Sequence, residues 1–161
     1  MSLVIRDAEL EELESLSELC LRSKAVWGYD QTFLEACRDE LTFHPEDLYS
    51  THIAVADTDG GVAGVVQIKV TQTEADLMKL FVEPAKLRNG IGSVLASWAI
   101  ARAKSLGATC MSIEADPDAV QFYHGMGACN VGVAASGSIS GRLLPKLALD
   151  LTQDRTVGGG R

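Results

Sequence analysis

The sequence predicts an α/β (α+β) fold, in which a mixed, mostly antiparallel central sheet of about seven strands is flanked by about four helices. Two patterns lead to this prediction. Short segments rich in apolar and β-branched residues, typical of strands, occur among longer segments whose apolar residues recur every three to four positions, typical of helices. Their order along the chain is β-α-α-β-β-β-α-β-α-β-β, which favours one sheet with helices on its faces.

The chain has the length and composition of one globular domain. It contains 161 residues, of which 47% are hydrophobic and 22% are charged, and these shares exclude a disordered chain. We expect residues 1–152 to form a single domain. Residues 153–161, which end in three glycines and an arginine, are expected to form a flexible C-terminal tail.

The first third of the chain predicts a short strand and two helices. Leu3-Val4-Ile5 is the candidate strand. Leucines that repeat about every three residues, such as Leu16 and Leu19, predict a helix that continues to Arg22. A second helix is expected over Asp30–Leu41.

Three strands joined by short turns are predicted next. We expect them over His52–Ala56, Val62–Val70 and Ala75–Val82. The first two are separated by Asp57-Thr58-Asp59-Gly60-Gly61, and this Asp/Gly-rich composition is typical of a tight turn. The spacing favours an antiparallel meander.

Beyond Pro84 the pattern becomes helical and then alternates with strands. Ile91, Val94 and Leu95 begin an i, i+3, i+4 pattern that defines one helical face. This helix is expected to stop at Leu106-Gly107. The remaining predicted elements are a strand over Thr109–Ala115, a short helix from Asp116-Pro117 to Gly127, and strands over Ala128–Val133 and Leu143–Leu151.

The charge of the chain is negative and unevenly distributed. Acidic residues number 22 and basic residues 14, which gives a net charge of −8. Because nucleic-acid binding needs a net basic face, this balance excludes nucleic acid as the main partner. Most of the excess acid lies in the first 50 residues, whereas the charged residues between positions 84 and 113 are all basic.

The sequence also argues against membrane-bound, secreted and metal-binding classes. No apolar run approaches the roughly 18 residues that span a bilayer, so no membrane partner is expected. The N-terminus becomes acidic from Asp7 onward, unlike a secretory signal, and a cytoplasmic location is expected. The four cysteines are widely spaced and predict no metal site.

One segment carries the clearest chemical signal. A strand that ends at Val82 leads into a basic loop containing Gly90 and Gly92, and this loop becomes the start of a helix. Free N–H groups and the positive dipole end of a helix N-terminus bind anions, and glycines let the backbone approach phosphate oxygens. Ser93 adds a hydroxyl donor. The segment predicts a pyrophosphate site, with an ordinary loop-to-helix turn as the alternative explanation of the glycines.

The same segment resembles the acetyl-CoA-binding signature of the GNAT N-acetyltransferase superfamily. That signature is a strand ending in Val, followed by Pro and by Gln/Arg-x-x-Gly-x-Gly/Ala at the start of a helix. The chain departs from it at Leu87, which occupies the usual Gln/Arg position, while Arg88 follows one residue later. The matching residues are Val82, Pro84, Gly90, Ile91 and Gly92.

A second resemblance to the same family lies further along the chain. Residues 116–128 resemble its late motif Asn-x-x-Ala-x-x-x-Tyr-x-x-x-Gly-Phe, and Ala119, Tyr123 and Gly127 match. Asp116 replaces the Asn and Ala128 replaces the Phe. Because two motifs occur in the family's order and spacing, the chain is identified as a GNAT-like protein.

The resemblance implies an N-acetyltransferase. Its co-substrate would be acetyl-CoA, and the acetyl group would pass to a primary amine of a small molecule or peptide by direct attack in a ternary complex, without a metal. A homodimer is common in such folds. The alternative is a non-catalytic acyl-CoA-binding or regulatory module. The residues implied in acetyl-CoA binding are Leu80, Phe81 and Val82 at the pantetheine, Arg88, Asn89, Gly90, Ile91, Gly92 and Ser93 at the pyrophosphate, and Asp116.

Two residues are candidates for catalysis. Tyr123 corresponds to the family's tyrosine near the CoA sulfur and is expected to act as general acid toward the departing thiolate, with a core tyrosine as the alternative. Asp76 is the preferred candidate base, and strand alternation places it on the same face as Leu80 and Val82. A solvated acid near a turn is the alternative for Asp76. The weaker candidate bases are Glu74 and Glu114.

The remaining candidates each have a structural alternative. Trp27 and Tyr29 are expected to line the acceptor pocket, with aromatic packing between two helices as the alternative. Asp116 is explained equally by capping of the helix that begins at Pro117. The acidic first two helices, which flank the acceptor in this family, suggest a cationic amine acceptor.

Overall fold

The strands of the protein form one seven-stranded sheet, as predicted. The structure is a computed structural model that describes residues 2–87 and 89–152. The prediction for Arg88 and that of a tail at 153–161 therefore fall outside the described residues. The strands are β1 (Leu3–Asp7), β2 (His52–Thr58), β3 (Gly61–Thr71), β4 (Glu74–Val82), β5 (Cys110–Glu114), β6 (Cys129–Ala135) and β7 (Leu143–Asp150).

Within residues 2–87 and 89–152, five α-helices accompany the sheet, one more than the sequence predicts. The additional one is a single turn before β2, and each of the other four lies close to its predicted range. The helices are α1 (Leu13–Ala25), α2 (Gln31–Leu41), α3 (Asp47–Ser50), α4 (Ile91–Ser105) and α5 (Val120–Gly125).

The order of the strands across the sheet is β1-β2-β3-β4-β5-β7-β6. All neighbouring pairs are antiparallel except β4 and β5, which are parallel. A parallel pair needs a crossover connection, and α4 supplies it. The predicted mixed, mostly antiparallel sheet is thus confirmed, and its one parallel pair lies at the centre.

Two hydrophobic cores cover the two faces of the sheet. On one face, α4 and α5 pack with residues such as Leu95 and Tyr123. On the other face, α1 and α2 pack with residues such as Leu16 and Cys37. We call these the α4 face and the α1 face. The central strands are therefore shielded from solvent on both sides.

The buried stripe of α4 differs from the predicted one. Buried residues recur at every fourth position, whereas Val94, expected on the inner face, is 39% exposed. The small alanines of the stripe bring the helix close to β3, where a Cβ built on Gly64 would lie 2.8 Å from Leu95 Cδ1 and 3.0 Å from the Phe81 carbonyl oxygen. Close packing of α4 therefore depends on the missing side chain at position 64. The stripe consists of Ile91, Leu95, Ala99 and Ala103.

A β-bulge interrupts β4 and changes which side chains share a face. Gln67 and Ile68, adjacent on β3, pair with Lys79 and Leu77, so Met78 is the extra residue. An extra residue reverses the alternation of side chains beyond it and increases the local twist of the strand. The second half of β4 is therefore turned over relative to its first half.

We expect Gly64→Ala to lower the free energy of unfolding by about 1–3 kcal/mol, because the new methyl group overlaps atoms of the sheet and of α4. Chemical denaturation of the variant and the parent measures the difference. Gly125→Ala is the matched control: a Cβ there meets nothing within 4 Å, and alanine favours the helix. Equal stability of the two variants would contradict the close approach of α4 to β3.

Candidate active site

The candidate site lies where β4 and β5 separate. Their pairing ends at Leu77 and Ile113, while β4 continues to Val82 along β3. On the α4 face, this separation opens into a cavity of about 400 Å³, the first cavity. The edge of β4 that turns away from β3 presents backbone N–H and C=O groups to it. The cavity thus has an open strand edge as one wall.

The N-terminus of α4 forms another wall of the first cavity. Gly90 precedes the helix with φ of 80°, a left-handed conformation that favours glycine. At Gly92, a Cβ would point at Phe122 and Val82, 3.6 and 3.8 Å away, so the missing side chain keeps this surface open. Lys86 lines the same cavity and adds a positive charge. These features suit a bound phosphate group.

Most of the residues predicted to bind the cofactor are brought together around the first cavity. Among those that the structure describes, Asn89 is the exception, and Arg88 lies outside the described residues. The sequence reasoning did not include Lys86 or Phe122 as site residues, although both also line the cavity. The predicted residues that line it are Leu80, Phe81, Val82, Gly90, Ile91, Gly92, Ser93 and Asp116.

Tyr123 lies on α5 at the wall of the first cavity and belongs to the core of the α4 face. Its ring meets that of Phe122 edge to face, with centroids 5.1 Å apart. Burial, and to a lesser extent the nearby charge of Asp116, raises the pKa of Tyr123. The phenol therefore stays protonated at physiological pH, as a hydrogen-bond donor must. Both explanations given for this residue, core packing and a place at the site, are compatible with this position.

Asp76 does not share a face with Leu80 and Val82, and that expectation was wrong. The bulge at Met78 turns the strand over, so Leu80 and Val82 join the core of the α4 face. Asp76 is exposed and lines a second cavity of about 440 Å³. This second cavity lies on the α1 face, where α1, α2 and the β6–β7 connection surround it.

Glu114 is the carboxylate closest to the point where the strands separate. It is the last residue of β5 and follows Ile113, the end of the pairing with β4. Its side chain is exposed, and Glu114, like Asp116, lines both cavities, whereas Asp76 lines the second cavity and not the first. Of the three candidate bases, Glu114 is thus the one that borders both cavities.

The carboxylate of Asp116 is held by two cations. Its side chain makes no cap hydrogen bond. Lys24 Nζ donates to its two carboxylate oxygens at 3.1 and 3.0 Å, and Arg142 Nη2 lies 3.4 Å from Oδ1. The side chains of Lys24 and Asp116 are only 9% and 17% exposed. This network joins α1, the segment after β5 and the β6–β7 connection. Asp116 does occupy the N-cap position before Pro117, as expected, but its carboxylate is used by the network and not for capping.

The two aromatic residues between α1 and α2 lie in different surroundings. Trp27 is 48% exposed and lines the first cavity, not the second. Tyr29 stacks on Phe33 with ring centroids 4.1 Å apart, and its hydroxyl accepts a hydrogen bond from Arg142 at 2.9 Å. The packing alternative thus describes Tyr29 well. A role of either residue in acceptor binding stays a prediction.

The candidate site is thus a pair of parallel strands that separates beside a helix N-terminus, with two cavities at the separation. The chain belongs to the Acetyltransferase (GNAT) family, whose model matches residues 10–128. Family membership implies an acyl-CoA-dependent acetyltransferase and confirms the resemblance seen in the sequence. No curated protein sequence is significantly similar to the chain.

Solved structures share the fold. The PaiA N-acetyltransferase from Thermoplasma acidophilum, in complex with coenzyme A, superposes with a TM-score of 0.75 at 19% identity, covering 93% of this chain and 99% of that one. The ribosomal-protein-S18-alanine N-acetyltransferase from Escherichia coli superposes with a TM-score of 0.71 at 18% identity, covering 95% and 96%. At such identities the likeness concerns the fold alone.

Over residues 2–87 and 89–152, no group of three or more His, Cys, Asp or Glu side chains is placed to hold a metal ion. In the same part of the chain, no helix has both the length and the apolar character needed to cross a membrane.

Proposed function

We propose that the protein transfers the acetyl group of acetyl-CoA to a primary amine by direct attack in a ternary complex. The observation that supports this most strongly is the separation of β4 and β5, because it leaves one cavity on each face and Glu114 at their junction. An acyl donor on the α4 face and an amine on the α1 face would meet there. A cytoplasmic location and a homodimer stay predictions.

The first cavity fits an acyl-CoA. The N-terminus of α4 would hold the pyrophosphate through backbone N–H groups, with Lys86 and Ser93 at its side. The open edge of β4 over Leu80–Val82 would pair with the amide groups of the pantetheine arm, as a strand would. The same edge would direct backbone N–H groups at the carbonyl oxygen, where negative charge develops during attack.

Tyr123 would donate a hydrogen bond to the departing sulfur. An ordinary thiol has a pKa near 8.5 and a phenol near 10, so full proton transfer from the phenol is uphill by about 2 kcal/mol. Burial raises the pKa of Tyr123 and increases that difference. Stabilisation of the thiolate by a donor, rather than its complete protonation by Tyr123, is therefore the favoured role.

Glu114 would accept the proton of the amine. An alkylammonium with a pKa of about 10.4 is neutral in fewer than one molecule in a thousand at pH 7, so a base accelerates the reaction. The bound ammonium first loses one proton to water. The neutral nitrogen then bonds to the acetyl carbon, its second proton passes to Glu114, and the carbon–sulfur bond breaks to release the CoA thiolate, which takes up a proton from water. Asp76, farther along the second cavity, would attract the cationic amine.

The direct test is release of the CoA thiol from acetyl-CoA in the presence of a panel of primary amines, read with a thiol reagent. Turnover that depends on both amine and protein supports the proposal. Tight CoA binding with no turnover on any amine would favour the non-catalytic acyl-CoA-binding module.

We expect Gly92→Trp to weaken CoA binding by at least about tenfold, equivalent to about 1.4 kcal/mol, because an indole would fill the surface beside Phe122. Isothermal titration calorimetry with CoA measures the change. Val94→Trp, on the exposed side of the same helix, is the matched control and should bind CoA normally. Unchanged affinity of the Gly92 variant would place the pyrophosphate elsewhere.

We expect Tyr123→Phe to lower kcat by about a hundredfold with little change in CoA affinity, because a donor that acts in the transition state is lost. Steady-state kinetics and CoA titration separate the two effects. Tyr49→Phe, at a tyrosine that is 89% exposed, is the control. A kcat equal to that of the parent would remove the donor role and leave core packing as the explanation of Tyr123.

We expect Glu114→Gln to lower kcat at pH 7 by about 10²- to 10⁴-fold, as the loss of a general base does. The rate of the variant should then rise with pH, because more amine is deprotonated in solution. Asp76→Asn should mainly raise KM for the amine, and Glu74→Gln, at the start of β4, should change neither constant. A larger loss of kcat in Asp76→Asn than in Glu114→Gln would reverse the assignment of the base.

A further inference from the structure

The second cavity has a charge pattern that its role as an amine site does not explain. Binding and deprotonation of an amine need only carboxylates, one of them acting as base, and the exposed carboxylates of this cavity meet that need. Three lysines also contribute to the wall, however: Lys69 is exposed like the carboxylates, and the other two are shielded from solvent. The exposed carboxylates are Glu40, Asp76 and Glu114.

Lys79 is the first of the two shielded lysines. It lies on β4 just after the bulge and is partly buried, and this burial lowers the pKa of its amine. Its Nζ donates to Gln67 Oε1 at 3.1 Å and lies 5.0 Å from the centre of the Phe43 ring. No carboxylate oxygen of the described residues is within 4.0 Å of it. A cation that faces a cavity without a counter-ion is a place for an anion.

Lys24 is the second lysine, and its charge is only partly offset. It is 8% exposed, and its carboxylate partner Asp116 is shared with Arg142. Two cations and one carboxylate leave this largely buried network with a net charge of +1. Burial of an excess charge is costly, and an anionic ligand group at the cavity would offset that cost.

The shielded and the exposed charges of the wall therefore differ in sign. Lys79 and the network of Lys24, Asp116 and Arg142 are shielded and carry a net positive charge, while the exposed part carries three carboxylates against Lys69. The acidic first helices suggest a purely cationic acceptor. Such an acceptor would pair with the exposed carboxylates and leave the shielded positive charges without an anionic partner. An acceptor that carries both signs would satisfy both.

We infer that the acceptor is a small zwitterion, a primary amine that also carries a carboxylate, bound with its carboxylate toward Lys79 and Lys24 and its amine toward Glu114. This inference rests on the proposed acetyl transfer and names the substrate class of the same site. It adds Lys79 as a residue that determines specificity.

The experiment compares matched acceptors that differ in the carboxylate alone. Glycine, the L-amino acids, β-alanine and 4-aminobutyrate are each offered as the free acid and as the amide, with acetyl-CoA, and thiol release gives kcat/KM. We expect at least one free acid to exceed its own amide by about tenfold or more, as removal of one member of a desolvated charge pair does. If kcat/KM for the amides equals or exceeds that for the acids throughout, the inference is overturned. An amide lacks the free carboxylate, as the first residue of a peptide does, so this result would favour a peptide acceptor.

Variants of Lys79 test whether this residue causes the preference for the free acid over the amide. Lys79→Met should reduce the acid-to-amide ratio of kcat/KM by about tenfold or more, through KM for the acid. Because Lys79 also lines the first cavity, both acceptors are compared at saturating acetyl-CoA. Lys79→Arg keeps the positive charge and should retain much of the acid-to-amide ratio of the parent. Lys104→Met, on the exposed side of α4, is the matched control for loss of one lysine. An unchanged ratio in Lys79→Met would overturn the assignment of the carboxylate to this residue.

A binding measurement keeps the inference separate from the proposed activity. If no amine is turned over, the proposed function fails. Calorimetry of the CoA complex with N-acetylated amino acids and with their amides still reports on the shielded positive charges. Tighter binding of the free acids, lost in Lys79→Met, would support a carboxylate site, and equal binding of acids and amides would overturn it.

Discussion

The end of the pairing between β4 and β5 is the constraint on which the site depends. Four residue pairs hold these parallel strands together, and beyond Leu77 and Ile113 they diverge. The bulge at Met78 adds twist at this point and turns the strand over. As a result, one stretch of backbone borders a cavity on the α4 face and presents Lys79 to a cavity on the α1 face. Both candidate substrate sites follow from this single irregularity.

A second constraint joins segments that are distant along the chain. Lys24, Asp116 and Arg142 meet in a largely buried network, although the first two are 92 positions apart. Removal of one partner from such a network leaves a buried charge without compensation, so its members depend strongly on one another. The network fixes α1 against the segment after β5, and both segments line the cavities. Site geometry and tertiary stability are therefore coupled here.

Much of the fold could be predicted because its signals are local. Apolar periodicity located the strands and the four longer helices, and the residues around Gly90 and Gly92 indicated the anion-binding turn. The bulge at Met78 has no such local signal, and it moved Asp76 to the other face of the sheet. Contacts such as Lys24 with Asp116 depend on how distant segments fold together, so residue types alone could not show them. Lys79 was detectable in principle, since this lysine interrupts the apolar run from Leu77 to Val82.

The two cavities also have a consequence for ligands. Because they extend along opposite faces and share lining residues where the strands separate, the two substrates would approach from opposite sides of the sheet. A molecule that joins donor and acceptor through a stable link would pass through the gap between the separated strands instead of lying along the surface of the sheet.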